Sequence, residues 1–169
     1  MRCRRLAAAA IAVGAWAAFL GIGVASAAGQ GVLNAAVHDA KRATRPFRSL
    51  TQTRVRVGDE ELRVVIADEG RERFRGLRRR RDIGRYDGML FVFPDGTRTA
   101  FTMSTVRVPL DIGFYDARGR VVDHLRMEPC AGSDAECPSY EAHGRFTYAL
   151  ETLAGDLPEG RIRPIPSSR

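Results

Sequence analysis

Two carboxylates and one arginine sit where chemistry could be done. Asp111 lies in the run Leu110-Asp111-Ile112-Gly113-Phe114-Tyr115, among neighbours that read as buried, and Glu151 closes the run Phe146-Thr147-Tyr148-Ala149-Leu150-Glu151. A carboxylate at the mouth of a sheet can serve as a general base, a metal ligand or half of an ion pair. Two that converge can do acid–base work on a sugar or peptide, because different environments split their pKa values. A buried carboxylate also needs a charged or hydrogen-bonding partner. Arg75, beside Gly76 where backbone can approach closely, is the natural one. The preferred reading is a structural ion pair of Arg75 with Asp111, Glu151 or both. The alternatives are a ligand-recognition site, with Phe101, Met103 and Tyr140 as wall candidates, and a catalytic carboxylate pair.

The remaining reactive residue types are few. His124 falls on the polar side of a strand and His143 in a loop, where a lone histidine is usually a surface residue. Cys130 and Cys137 are separated by six residues, wider than the usual zinc spacing, and the preferred reading is a disulfide rather than metal. Such a bridge closes a short loop and contributes about 2–3 kcal/mol in the chain-entropy model. No Gly-x-Ser-x-Gly elbow or glycine-rich phosphate loop is present, and no cofactor or metal is called for. Met89, Met103 and Met127 read first as core fillers.

The elements that must position these residues are mostly strands. Thr53–Val57 alternates with period two, Gly58-Asp59 turns, and Leu62–Ile66 returns, which is a hairpin. Asp68 is a reasonable N-cap for a short helix in which Phe74 and Leu77, three apart, would share the inner face. The arginine run from Arg78 to Arg81 reads as a solvated basic cap at its end. Three apolar runs, Asp87–Pro94, Phe101–Met103 and Pro109–Asp116, are punctuated by Gly and Pro as neighbouring strands would be. A second hairpin turns at Ala117–Arg120 and returns through Val121–Met127, and Phe146–Glu151 is a later strand. The pattern predicts a β-rich α+β domain, a curled or barrel-like, mostly antiparallel sheet of about seven short strands with one short helix.

Composition sets the address. Three arginines in Met1–Arg5, an apolar run from Leu6 to Val24 and the Ala25-Ser26-Ala27 site have the layout of a secretory signal cut after Ala27. The alternative is an uncleaved anchor, since the segment has the roughly 20 residues a membrane-spanning helix needs. Residues 28–50, with low apolar content and Pro46, read as a tether or a loosely docked segment rather than core, and residues 51–169 as the single domain. Losing residues 1–27 removes three arginines and no acids and lowers the formal charge from +7 to +4. A mild excess interspersed with Asp and Glu is a solvated surface and not a nucleic-acid footprint. The expected partner is a small ligand or an envelope component of an exported protein, with membrane contact only through residues 1–27 if these are kept.

Arg75-Gly76-Leu77, then Asp87-Gly88-Met89-Leu90-Phe91-Val92-Phe93, then Phe101-Thr102-Met103 and Pro109-Leu110-Asp111-Ile112 occur in a telling order. Cys130, Cys137-Pro138-Ser139-Tyr140, Ala149-Leu150-Glu151 and Gly155 continue it. Over about residues 53–165 this resembles the domain-of-unknown-function 192 family, small prokaryotic proteins that are often exported. The family commonly has Met where this chain has Arg78. It commonly has Trp at Thr102 and Lys-Asn-Thr where Ser104-Thr105-Val106 stand. The resemblance implies a compact β-rich fold and carries no established chemistry. The reading is therefore a non-catalytic binding domain, with an envelope hydrolase using Asp111 and Glu151, or an accessory protein acting through protein contacts, as alternatives.

Overall fold

Strand β2 (Thr51–Val57) and strand β3 (Glu60–Ala67) form the expected hairpin around Gly58 and Asp59, with Val57 opposite Glu60. Val55 and Val57 are buried while Arg54 and Arg56 face solvent, so period-two patterning decides which face packs. The structure is a computed structural model that describes residues 31–165; the expected signal segment lies outside the described residues. Ahead of the hairpin come α1 (Asn34–His38) and β1 (Lys41–Arg42). After it come α2 (Gly70–Arg75), β4 (Gly88–Thr97), β5 (Phe101–Thr102), β6 (Leu110–Tyr115) and β7 (Val121–Met127). The last elements are β8 (Ser139–Tyr140), β9 (Phe146–Leu153) and β10 (Ile162–Pro164).

Eight strands make one open, mostly antiparallel sheet in the order β1-β2-β3-β4-β9-β6-β7, with β10 on β2. Only the β3–β4 pair is parallel, and α2 lies in its crossover. The molecule is thus β-rich α+β, without closure into a barrel. The three apolar runs are not sheet neighbours as the sequence suggested. β9 lies between β4 and β6, and β5 leaves the sheet to pair with β8. Strand β6 is buried at all six positions, because both faces of the sheet are covered there. Gly113 admits the Tyr115 ring on its face: a Cβ at Gly113 would lie 2.7 Å from the Tyr115 hydroxyl.

Two cores result, one on each face. The first gathers Met89, Phe91, Ile112, Phe114 and Phe146 under α2 and the segments around Leu77 and Met103. The second gathers Val64, Leu90, Tyr115, Tyr148 and Leu150 under Leu33. Residues 31–50 dock more firmly than the sequence suggested. Leu33 and Phe47 are buried, the Leu33 N–H donates to the Tyr148 hydroxyl, and the Thr44 N–H donates to the Tyr86 hydroxyl at 2.7 Å. Few apolar residues are present there, but Leu33, Ala43, Phe47 and Leu50 are buried, and a fully buried Phe or Leu is worth about 1.5–3 kcal/mol.

Candidate functional site

The α2 segment starts where Glu69 and Glu72 form a reciprocal capping box, one residue later than Asp68 would have set it. It stops at Gly76, whose φ of +46° favours glycine. That early stop breaks the spacing expected of Phe74 and Leu77: Leu77 is buried, whereas Phe74 is 70% exposed. The break also leaves Arg79 and Arg81 in solvent but turns Arg78 and Arg80 over the first core.

Beneath them lies a pocket of about 340 Å³. Phe91, Phe93, Phe101 and Val106 line it, Arg73, Arg75, Arg78 and Phe74 edge it, and Glu151 reaches it from β9. Arg73 donates to the carbonyls of Asp68 and Val92, and its guanidinium lies 5.0 Å from the Phe93 ring centre. Arg78 pairs with Asp134 at 2.7 Å, donates to the carbonyls of Phe74 and Ser104, and stacks on Phe74. Burial and charge pairing therefore make Arg78 part of the wall and not the solvated cap expected. Arg80 likewise stacks 4.2 Å over Phe47. Arg75 is exposed and forms no ion pair among the described residues.

The Arg78–Asp134 contact is held by the Cys130–Cys137 disulfide loop. Thr105 donates its N–H to the Cys130 carbonyl and accepts from the Arg79 N–H, and the Ser104 hydroxyl donates to Gly132. Arg79 and Thr105 have positive φ despite bearing side chains, a cost typical of sites that need a fixed geometry. Hydrogen bonds from Arg78 and Ser104 hold the Asp134 carboxyl below the usual carboxylate range.

Glu151 sits opposite Met89 on one side and Ile112 on the other, in the middle of the sheet. It is 6% exposed and forms no ion pair among the described residues. Desolvation pushes its carboxyl up to about 8, against a smaller opposing pull from Arg78. At neutral pH it is mostly the uncharged acid, with one donor and one acceptor turned toward the pocket.

The sequence candidates separate. Arg75, Phe101 and Glu151 share this pocket. Asp111 does not, because it is paired with Thr152 in the register and so projects to the face opposite Glu151. Arg126, directly across from Asp111 in the hairpin, bonds it at 2.5 Å, and the Gly155 N–H donates to it at 2.6 Å. The expected Arg75 pairing and the converging carboxylates are therefore both absent from the described residues. Met103 is fully buried as core, and the Tyr140 hydroxyl accepts from the Glu128 N–H beside β8. Arg73, Arg78, Phe91, Phe93 and Asp134 were not among the site candidates read from the sequence, where Arg78 stood only as a basic cap and a departure from the family's Met. For Phe91 and Phe93 the signal was alternation with Met89, which puts all three on one face of β4.

His143 pairs with Asp123 at 2.5 Å, and His124 is exposed. Although burial opposes it, N–H groups of His143 and His124 hold the Asp123 carboxyl low. Among the described residues no cluster of three His, Cys, Asp or Glu side chains is placed to hold a metal ion.

With this geometry in view, comparison decides the family. A family model, DUF192, described as Uncharacterized ACR, matches residues 53–164. The chain belongs to DUF192. No curated protein matches it. Among solved structures, the chain is similar in fold to a protein of unknown function from Novosphingobium aromaticivorans DSM 12444, at TM-score 0.58 and 22% identity. That match covers 76% of this chain and 96% of the other. A proposed transcription regulator from Sinorhizobium meliloti 1021 is similar at TM-score 0.54 and 24% identity, covering 65% of this chain and 89% of that one. At these identities the likeness is one of fold alone.

Proposed function

We propose that this DUF192 chain is an exported, non-catalytic domain that binds a small ligand, or the end group of an envelope component, in the Glu151 pocket. The observation that carries the reading is a carboxyl more than nine-tenths buried, without an ion-pair partner, beside an aromatic-walled cavity. Burying such a group unpaired costs free energy, and proteins keep that cost mainly where a ligand completes the bonding. Export is supported by the basic, apolar and Ala-x-Ala layout of residues 1–27. The hydrolase alternative needs two carboxylates in one cleft, and the opposite faces of Asp111 and Glu151 remove its support. Exposed Phe74 is a contact point for the protein-contact alternative, but it also edges the pocket, where a ligand would cover it.

Thermal unfolding of the full chain should be screened against envelope sugars, peptides and small organic acids, alongside Glu151→Met and Asp111→Asn. The expected result is a ligand-induced rise in midpoint that Glu151→Met abolishes and Asp111→Asn retains. A rise that survives Glu151→Met places the binding elsewhere and ends this reading.

A further inference from the structure

The ligand's chemistry can be narrowed, on the footing of that binding reading. We infer that the pocket takes a small organic anion with an apolar body, its charge at Arg75 and an uncharged hydroxyl or amide against Glu151. The rim carries three guanidiniums, Arg73, Arg75 and Arg78, against one acid, Asp134. Arg73 is engaged with backbone carbonyls and Arg78 with Asp134, which leaves Arg75 without a counter-charge. Arg80 adds a nearby like charge: burial first, and then Arg75, lower its affinity for a proton, and Asp82 offsets only part of this. An anion entering here relieves repulsion that the protein's own acids leave in place.

The aromatic walls invite the opposite assignment, since a cage of rings with a buried acid is how ammonium groups are bound. Two observations turn it aside. The guanidiniums of Arg73 and Arg78 already lie 5.0 Å from the centres of the Phe93 and Phe74 rings, so those faces hold cations of the protein itself. Burial moreover pushes the Glu151 carboxyl up to about 8, so an ammonium would first have to drive off its proton before meeting a counter-ion. What it offers is one donor and one acceptor, the complement of a hydroxyl or an amide. Phe91, Phe101 and Val106 between the two ends suit an apolar body. A volume of about 340 Å³ is near the small end of ligand cavities, which admits a single small molecule or one terminal group and not a polymer strand.

Four probes of one shape separate the parts of this inference: 4-hydroxyphenylacetate, phenylacetate, tyrosol and tyramine, titrated by calorimetry and by protein NMR at about pH 6.5, below the Glu151 transition. 4-Hydroxyphenylacetate should bind best, with phenylacetate and tyrosol each weaker by about three- to tenfold. Arg75→Gln, at an exposed position without an ion pair among the described residues, should erase its advantage over tyrosol while leaving tyrosol itself unchanged. Glu151→Gln should keep the preference for the hydroxyl, and Glu151→Met should lose it. Tyramine binding more tightly than 4-hydroxyphenylacetate overturns the anion assignment while the pocket stands as a binding site. Equal losses of all probes in Arg75→Gln overturn it too, since Arg75 would then act on pocket shape. If no probe saturates by about ten millimolar, the anion assignment falls. The envelope-ligand screen then decides separately whether the pocket binds anything.

Discussion

Glu151 makes a measurable demand on the fold before any ligand is considered. Its carboxyl titrates near 8 in the folded chain against an ordinary 4.5, so between those values the folded state holds a proton the unfolded state has released. Stability from this group is complete below about pH 4.5 and is lost as pH rises through about 8. Glu151→Gln removes that slope. Its unfolding free energy should exceed the parent's by an amount that grows from pH 5 to pH 8 to the order of a few kcal/mol and then levels off. Urea titrations at several pH values would measure it; a difference independent of pH would mean the carboxyl is well solvated. Much of this residue's character was legible in sequence: an acid closing an apolar strand is either paired or costly. That it stands apart from Asp111 was not, because which face it takes depends on a one-residue register between β6 and β9 that no local pattern reports. Asp111 was the reverse case. Counting outward from the Ala117–Arg120 turn sets Arg126 opposite it, so the ion pair was readable from the hairpin itself.

At the scale of elements, the disulfide loop acts as a brace for the pocket rim. Cys130 holds Thr105 and Cys137 closes the loop that presents Asp134 to Arg78. Replacing both cysteines by serine should lower stability by about 2–3 kcal/mol in denaturant. It should also raise hydrogen exchange at Thr105 and Arg79, whose N–H groups bond along that brace. Unchanged exchange there would mean the rim holds itself. The pairing of Cys130 and Cys137 followed from their number and spacing and the proposed compartment, but its mechanical role did not, since the Asp134 contact joins segments 56 residues apart, from Arg78 to Asp134. Alternation located the hairpins because a half-buried strand must alternate. It could not tell that both faces of β6 are covered, and it misled for α2, where one glycine ends the helical spacing before Leu77.

For the molecule as a whole, the amino-terminal segment tests how the domain is bounded. A chain beginning at Thr51 forfeits the burial of Leu33, Ala43, Phe47 and Leu50 and leaves the Tyr148 and Tyr86 hydroxyls without their N–H donors. It should unfold several kcal/mol more easily than the full chain, or lose its cooperative transition, in a urea titration. Equal stability would restore the tether reading. Fold class was legible because strand patterns and turns recur along the chain. Strand order was not, because β9 joins partners that precede it by more than thirty residues, and sequence gives no local mark of such pairing. That insertion bears on biogenesis. Until residues 146–153 leave the ribosome, the two halves of the sheet have no strand to join them, and long-range pairings of this kind form slowly. For a chain carrying an export signal, as proposed, the delay is useful: a polypeptide whose sheet has not yet closed stays threadable.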